Sequence, residues 1–216
     1  SVSAFLLNRS SDLAIILVVE SPVEFYTLRK DYPMNMDALM EEYARLIQPI
    51  IQDRKMPIVM TGLCIGGDMA LRFAVELDRQ GIASPSVMII DGFACRSDYG
   101  PGWGGIVNMP AASDELNERR NIIMHALSES FYQQHYTGNV RLVMCTDFED
   151  EPGQSREEGF KIYPVNLANW KKSQPDMPIT FVDTVHLSLL HKPENLKIIK
   201  DTIDNMLQSS LSKQKE

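Results

Sequence analysis

Short apolar runs alternate with segments of helical periodicity along the first half of the chain. Residues 13–19 form a continuous apolar run of strand length, as do residues 57–61 and 86–90. Residues 36–51 repeat at helical spacing, through Met36, Leu39, Met40, Tyr43, Leu46, Ile47, Ile50 and Ile51. A second helix is predicted to end at Gly81, and residues 2–8 predict one or two helical turns. This order predicts an α/β fold with a mainly parallel sheet and flanking helices.

The second half interrupts the alternation before resuming it. Residues 94–111 have loop-like composition, and residues 114–135 predict a long amphipathic helix. Strands are then predicted at 141–146 and 178–182, a loop at 148–159, and a closing helix at 196–207. Ligands of parallel sheets bind at the carboxyl ends of the strands. We therefore expect the insertion at about 94–138 to form a helical lid over those ends.

Composition narrows the class of protein. The 216 residues are expected to form one domain, 1–216, and their net charge of −8 argues against binding to nucleic acid or anionic membranes. We find no span-length apolar run and no secretory signal, and three irregularly spaced cysteines favour reduced thiols in the cytoplasm. No metal-binding spacing occurs, so we expect no metal. The chain begins at Ser1 rather than at Met, as an excised domain would.

The most informative segment is the hexapeptide at residues 62–67, Gly-Leu-Cys-Ile-Gly-Gly. It lies between a predicted strand and a predicted helix, and it resembles the Gly-x-Ser-x-Gly nucleophile elbow with cysteine in place of serine. We expect side chains at Gly62 or Gly66 to clash with the neighbouring strand and helix. A helix N-terminus favours the thiolate of Cys64 and leaves backbone N–H groups, that of Ile65 first, for an oxyanion. The alternative is a Gly-rich turn with a buried cysteine.

A thiol nucleophile needs a base and a group that orients the base. His186 is the best base, because it directly follows the last predicted strand. His191 is expected on the surface, and His125 and His135 on the lid helix are expected to be structural or exposed. The acid is Asp91 or Asp147, since both end predicted strands. The alternative for either aspartate is an ordinary turn or cap role, which is the role of most aspartates at strand ends.

With these residues in view, the chain resembles the thioesterase domains of nonribosomal peptide and polyketide synthetases from about residue 12 to residue 207. The resemblance is carried by residues 56–67, 70–81, 89–92, 136–142, 169–170 and 185–190. It implies the α/β-hydrolase fold and favours Asp91 as the acid. Cys64 replaces the commoner serine, and the family's N-terminal strand and Gly-containing oxyanion loop are expected to be missing.

The resemblance implies a thioesterase. Cys64 would form an acyl-enzyme and release an acyl or peptidyl chain, by hydrolysis or cyclisation, from the phosphopantetheine thioester of a carrier-protein partner, without a bound cofactor. An apolar stripe on the lid helix is expected to line an acyl channel, although such stripes usually pack in cores. The channel residues are Ile123, Leu127 and Phe131 on the helix, with Trp103 and Met109 before it.

Two alternatives remain open. Dienelactone hydrolases and polyhydroxyalkanoate synthases also carry cysteine elbows, and pairing Asp147 with His186 comes closer to their layout. A non-catalytic domain that docks carrier proteins is the other alternative, and the missing oxyanion loop is its best support.

Overall fold

A computed structural model describes residues 2–9, 12–19, 36–51, 57–94, 135–148 and 156–213. The strands within these ranges are β1 Val2–Arg9, β2 Asp12–Val19, β3 Val59–Leu63, β4 Ser86–Ile90, β5 Val140–Cys145 and β6 Ile179–Val182. The helices are α1 Met36–Ile51, α2 Ile65–Arg79, α3 Arg156–Ser173 and α4 Pro193–Lys213, with a 3₁₀ turn at His186–Ser188. The described part of the chain contains no helix that is both long and apolar enough to cross a membrane.

Strands β3 to β6 form a parallel sheet in the order β3-β4-β5-β6. Consecutive strands are therefore neighbours, and their carboxyl ends share one edge of the sheet. Cys64, Asp91, Asp147 and His186 all follow these ends within a few residues. The predicted parallel sheet is confirmed, with strand boundaries that move by no more than two residues.

Buried side chains cover both faces of the sheet. On β4, Val87 and Ile89 pack in one cluster with α2 and α3, whereas Met88 and Ile90 pack in another with α4. All five residues of β4 are buried, as the continuous apolar run predicts for a central parallel strand. Each fully buried side chain of this size contributes about 1.5–3 kcal/mol. The strand that carries Asp91 is thus held firmly on both sides.

The N-terminal segment differs from its prediction. Residues 2–8 lie in strand β1, not in helical turns, and β1 pairs with β2 in an antiparallel hairpin from Val2↔Val19 to Arg9↔Asp12. The apolar run at 13–19 is a strand as predicted. A strand needs a partner, and the pairing with β2 overrides the weak local helical tendency of the first residues.

The region after β5 also differs in part. The predicted loop at 148–159 gives way at Arg156 to helix α3, which the sequence did not predict. Gly159 and Pro164 lie inside α3, and its apolar residues are not confined to one face, so the periodic signal is weak. Most of the predicted lid, residues 95–134, lies outside the described residues.

Candidate active site

The backbone at Cys64 is strained. Cys64 caps the N-terminus of α2 with φ 54° and ψ −124°, a combination that costs a non-glycine residue about 1–3 kcal/mol. Its N–H donates to the carbonyl of Ile90 at 2.8 Å, and its carbonyl accepts the N–H of Gly67 at 3.0 Å. These bonds hold a sharp turn that leaves the thiol partly exposed at the end of β3.

Two glycines make this turn possible. A Cβ on Gly62 would lie 2.1 Å from the carbonyl carbon of Gly66, so any side chain there is excluded. A Cβ on Gly67 would lie 2.7 Å from Cγ2 of Ile89. The expected clash at Gly66 is wrong, because a Cβ there would meet nothing within 4 Å. The crowding falls one residue later, where the first turn of α2 crosses β4.

Asp91 ends β4 in a left-handed conformation, with φ 48°. Its N–H donates to the carbonyl of Val143 at 2.7 Å, which continues the pairing with β5. Its side-chain Oδ1 accepts the N–H of Cys145 at 2.9 Å. One carboxylate oxygen is therefore anchored on the neighbouring strand, and the other is left to face the loop after β6.

His186 meets that second oxygen. Its Nδ1 lies 2.7 Å from Oδ2 of Asp91, and the two side chains are 29% and 15% exposed. The hydrogen bond to Asp91, and then that to Cys64, raise the pKa of His186 from 6.5 to about 10, although burial opposes them. Because Asp91 takes Nδ1, the ring's other nitrogen, Nε2, is the one that faces Cys64.

The three side chains therefore form one hydrogen-bonded chain, from the sulfur of Cys64 through the imidazole to Asp91. The raised pKa means that the ring holds two protons at neutral pH. Such an imidazolium stabilises a neighbouring thiolate and carboxylate together. The arrangement has the parts needed for nucleophilic catalysis by a thiol.

Asp147 makes different contacts. Its Oδ1 accepts from the guanidinium of Arg156 at 2.7 Å and from the N–H of Phe148 at 2.9 Å. These bonds, that to Phe148 first, lower the pKa of Asp147. It therefore behaves as a turn aspartate that joins the end of β5 to the start of α3.

The remaining predicted site residues divide by location. His135 Nδ1 bonds the carbonyl of Ser173 at 2.8 Å, and His191 is exposed. Ile65 is the first residue of α2, where the backbone N–H has no carbonyl within the helix to bond. Outside the described residues lie His125, Cys95, Trp103, Met109, Ile123, Leu127 and Phe131.

Sequence reasoning did not place three residues beside Asp91 that surround it in the structure. Cys145 is buried, and burial raises the pKa of its thiol. Asn166 and Trp170 on α3 bond the backbone just after Asp91. Trp170 lies in the segment 169–170 that carries the family resemblance, but neither it nor Asn166 could be linked to Asp91 from a single sequence, because helix α3 was not predicted. Among the described residues, no group of three or more His, Cys, Asp and Glu side chains is placed to hold a metal ion.

A family model described as "Thioesterase domain" matches residues 11–99, which is less than half of the chain and includes Cys64 and Asp91. No curated protein sequence matches. The likenesses to solved structures extend much further along the chain.

Three thioesterases are among the solved structures that this chain is similar to. Human thioesterase 2 is 18% identical with a TM-score of 0.54, over 80% of this chain and 82% of its own. The NocB thioesterase domain from the nocardicin cluster is 18% identical with a TM-score of 0.60, over 90% and 82%. YbtT, a type II thioesterase from the yersiniabactin NRPS/PKS pathway, is 11% identical with a TM-score of 0.54, over 82% and 75%.

The chain has the α/β-hydrolase fold. Identities this low establish the fold alone, and the predicted fold class is thereby confirmed. On this fold, the turn at Cys64 corresponds in form to a nucleophile elbow, with strand, sharp turn and helix in succession.

Proposed function

We propose that this protein is a thioesterase that releases an acyl or peptidyl chain from the phosphopantetheine thioester of a carrier protein. The observation that carries the proposal is the hydrogen-bonded chain of Cys64, His186 and Asp91 at the carboxyl ends of three strands. The strain at Cys64 supports it, because strained non-glycine residues cluster at functional sites.

In the first half-reaction, the Cys64 thiolate attacks the thioester carbonyl. The oxyanion of the tetrahedral intermediate is stabilised by the N–H of Ile65 at the N-terminus of α2. The intermediate collapses, the carbon–sulfur bond to phosphopantetheine breaks, and the imidazolium of His186 gives its proton to the leaving thiolate. Exchange of one thioester for another is nearly neutral in energy, so the acyl-enzyme stays reactive.

In the second half-reaction, His186 is neutral and acts as a base. It takes a proton from water, or from an amine or hydroxyl of the chain itself, and that nucleophile attacks the acyl carbon. Collapse expels the Cys64 thiolate beside a reprotonated His186, which restores the resting ion pair. Asp91 holds Nδ1 protonated in both halves, so Nε2 carries the moving proton.

The substrate class rests on likeness rather than on the site alone. Residues 11–99 match the thioesterase model, and similar folds include YbtT, a thioesterase from an NRPS/PKS pathway. Every step above uses only side chains, backbone N–H groups and water, so the proposal needs no cofactor of the protein's own. The phosphopantetheine arm enters as part of the substrate, on a carrier-protein partner.

The test compares the parent protein with Cys64→Ala on acyl-pantetheine thioesters. Replacing the thiol by hydrogen removes the nucleophile with little change in packing, so we expect turnover to fall to background while the melting temperature stays close to that of the parent. Cys64→Ser keeps a nucleophile and is expected to retain part of the activity. Hydrolysis by Cys64→Ala at the parent rate would rule out the proposed acyl-enzyme.

The same turnover assay, together with a carrier-protein binding measurement, addresses the non-catalytic alternative. If the parent protein binds a carrier protein but turns over no thioester, the domain serves docking rather than release. A dienelactone-hydrolase layout is addressed separately by variants of the two aspartates, since pairing Asp147 with His186 comes closer to that layout. The proposed acyl channel at Trp103, Ile123, Leu127 and Phe131 stays a prediction.

A further inference from the structure

Helix α3 directs two buried side chains at a single carbonyl beside Asp91. Trp170 donates from Nε1 to the carbonyl of Gly92 at 3.0 Å, and Asn166 donates from Nδ2 to the same oxygen at 3.1 Å. Asn166 also accepts the N–H of Ala94 at 2.9 Å through Oδ1. Trp170 and Asn166 are 0% and 2% exposed. Three hydrogen bonds therefore fasten residues 92–94 to α3.

The turn held in this way is one that needs support. Asp91 has φ 48°, a region that an aspartate enters only at some cost. The next residue is pressed against the nucleophile turn, since a Cβ on Gly92 would lie 3.1 Å from the carbonyl oxygen of Cys64 and 2.7 Å from Cγ2 of Ile89. Gly92 thus lies between the elbow on one side and α3 on the other.

Ordinary satisfaction of buried polar groups explains part of this arrangement. A buried indole N–H and a buried amide both need partners. The need for partners does not explain why both donors converge on the carbonyl of Gly92, the first residue after Asp91. A shift of that carbonyl would move Asp91 relative to both His186 and Cys64. Asp91 is bonded to His186, and Gly92 passes so close to Cys64 that an added Cβ would lie 3.1 Å from its carbonyl oxygen.

We propose that Asn166 and Trp170 are positioning residues, which hold the turn after β4 so that Oδ2 of Asp91 stays in contact with His186. This inference rests on the proposed function, in which Asp91 orients the catalytic imidazole. A misplacement of about 1 Å in such a site lowers turnover on the order of 10²-fold. Neither residue touches the reacting atoms in this scheme.

The test uses Trp170→Phe, which keeps an aromatic ring and removes the Nε1–H donor, and Asn166→Leu, which removes both polar groups. Ser173→Ala is the matched control on the same helix, because the Ser173 hydroxyl bonds the carbonyl of Trp170 and not Gly92. Val140→Ala, in the same core cluster but at the amino end of β5, controls for lost packing. The measurements are the pKa of His186 by NMR, thioester kcat and KM, and melting temperature.

We expect Trp170→Phe to lower kcat about 10-fold with KM unchanged, Asn166→Leu to lower it further, and both to lower the pKa of His186. The two controls should lower melting temperature without either effect. Parent values of kcat and of the His186 pKa in Trp170→Phe would overturn the inference, whatever its stability and whether or not Asn166→Leu folds.

The His186 titration separates this inference from the proposed function. If the parent protein turns over no thioester but Trp170→Phe still lowers the pKa of His186, the positioning role stands and the substrate is wrong. If the parent protein is active and its His186 pKa is unchanged in Trp170→Phe, the positioning role is wrong and the proposed function stands.

Discussion

Asp91 and Asp147 are two aspartates at the carboxyl ends of neighbouring strands, but their side chains differ in exposure and in hydrogen-bond partners. The side chain of Asp91 is 15% exposed. Its Oδ1 accepts a hydrogen bond from the N–H of Cys145, and its Oδ2 is bonded to Nδ1 of His186. Asp147 is 33% exposed, and its Oδ1 accepts from Arg156 and from the next N–H of its own chain. Only Asp91 links two separate strands to a titratable base.

The residue after each aspartate explains part of the difference. Gly92 lets the backbone pass close to Cys64, whereas Phe148 turns into an aromatic cluster with Phe160 and Tyr163. The chain after Asp91 is therefore drawn toward the elbow, and the chain after Asp147 is drawn toward α3. The residue that comes directly after a strand-end carboxylate thus helps to determine whether that carboxylate serves a site or a turn.

The largest expected effect separates the two aspartates by turnover. Asp91→Asn presents an amide to His186 and stabilises the wrong tautomer, so we expect thioester turnover to fall on the order of 10⁴-fold. Asp147→Asn keeps its shape and lies in another network, so turnover should stay within a factor of about two of the parent.

Steady-state kinetics on one acyl-pantetheine thioester measures both variants, with circular dichroism to verify folding. The reverse ranking would move the acid to the end of β5 and favour the dienelactone-hydrolase layout. Equal losses in both variants would remove the contrast between the two strand ends.

A smaller effect concerns the charge on His186. Its pKa of about 10 has the bond to Asp91 as the largest cause and the bond to Cys64 as the next. NMR titration of the labelled ring should therefore show the largest fall in Asp91→Asn and a smaller fall in Cys64→Ala. Asp147→Asn should leave the titration unchanged. A parent pKa near 6.5 would contradict the resting ion pair.

The same shift carries a consequence for stability. A folded-state pKa above the unfolded value of 6.5 means that the folded protein binds the proton more tightly. His186 therefore contributes stability that is fully present below about pH 6.5 and is lost as the pH rises through about 10. In Asp91→Asn this alkaline loss should shrink, because the largest cause of the shift is removed.

Sequence predicted much of the fold because the signals are local. The continuous apolar run of β4 and the helical spacing of α1 each determine one element, and both appear with the bounds that the sequence predicts. Helix α3 was missed because its burial is set by contacts with distant residues, above all Trp170 with Gly92. The prediction of helical turns at residues 2–8 was wrong for a related reason, because the strand they form depends on pairing with β2.

The candidate site also has one part that the sequence predicts and another that it does not. The turn at Cys64 was predictable in part, because Gly62 is required by contacts with the nearby Gly66 and Gly67, whereas Gly67 is required by a contact with the distant Ile89. The meeting of Asp91 with His186 joins positions 95 apart in sequence, and residue pattern alone left Asp147 as an equal choice. The contacts of Arg156 with Asp147, and of Cys145 with Asp91, depend on how the strand ends lie in space.

The most direct test of the proposed acyl-enzyme is to find where an acyl group attaches during turnover. The parent protein is mixed with an acyl-pantetheine thioester, quenched in acid within seconds and mapped by peptide mass spectrometry. We predict an adduct on Cys64 that neutral hydroxylamine removes, with none on the buried Cys145. Turnover with the acyl group on another residue, or with Cys64 never acylated, would contradict the assignment of Cys64 as the nucleophile.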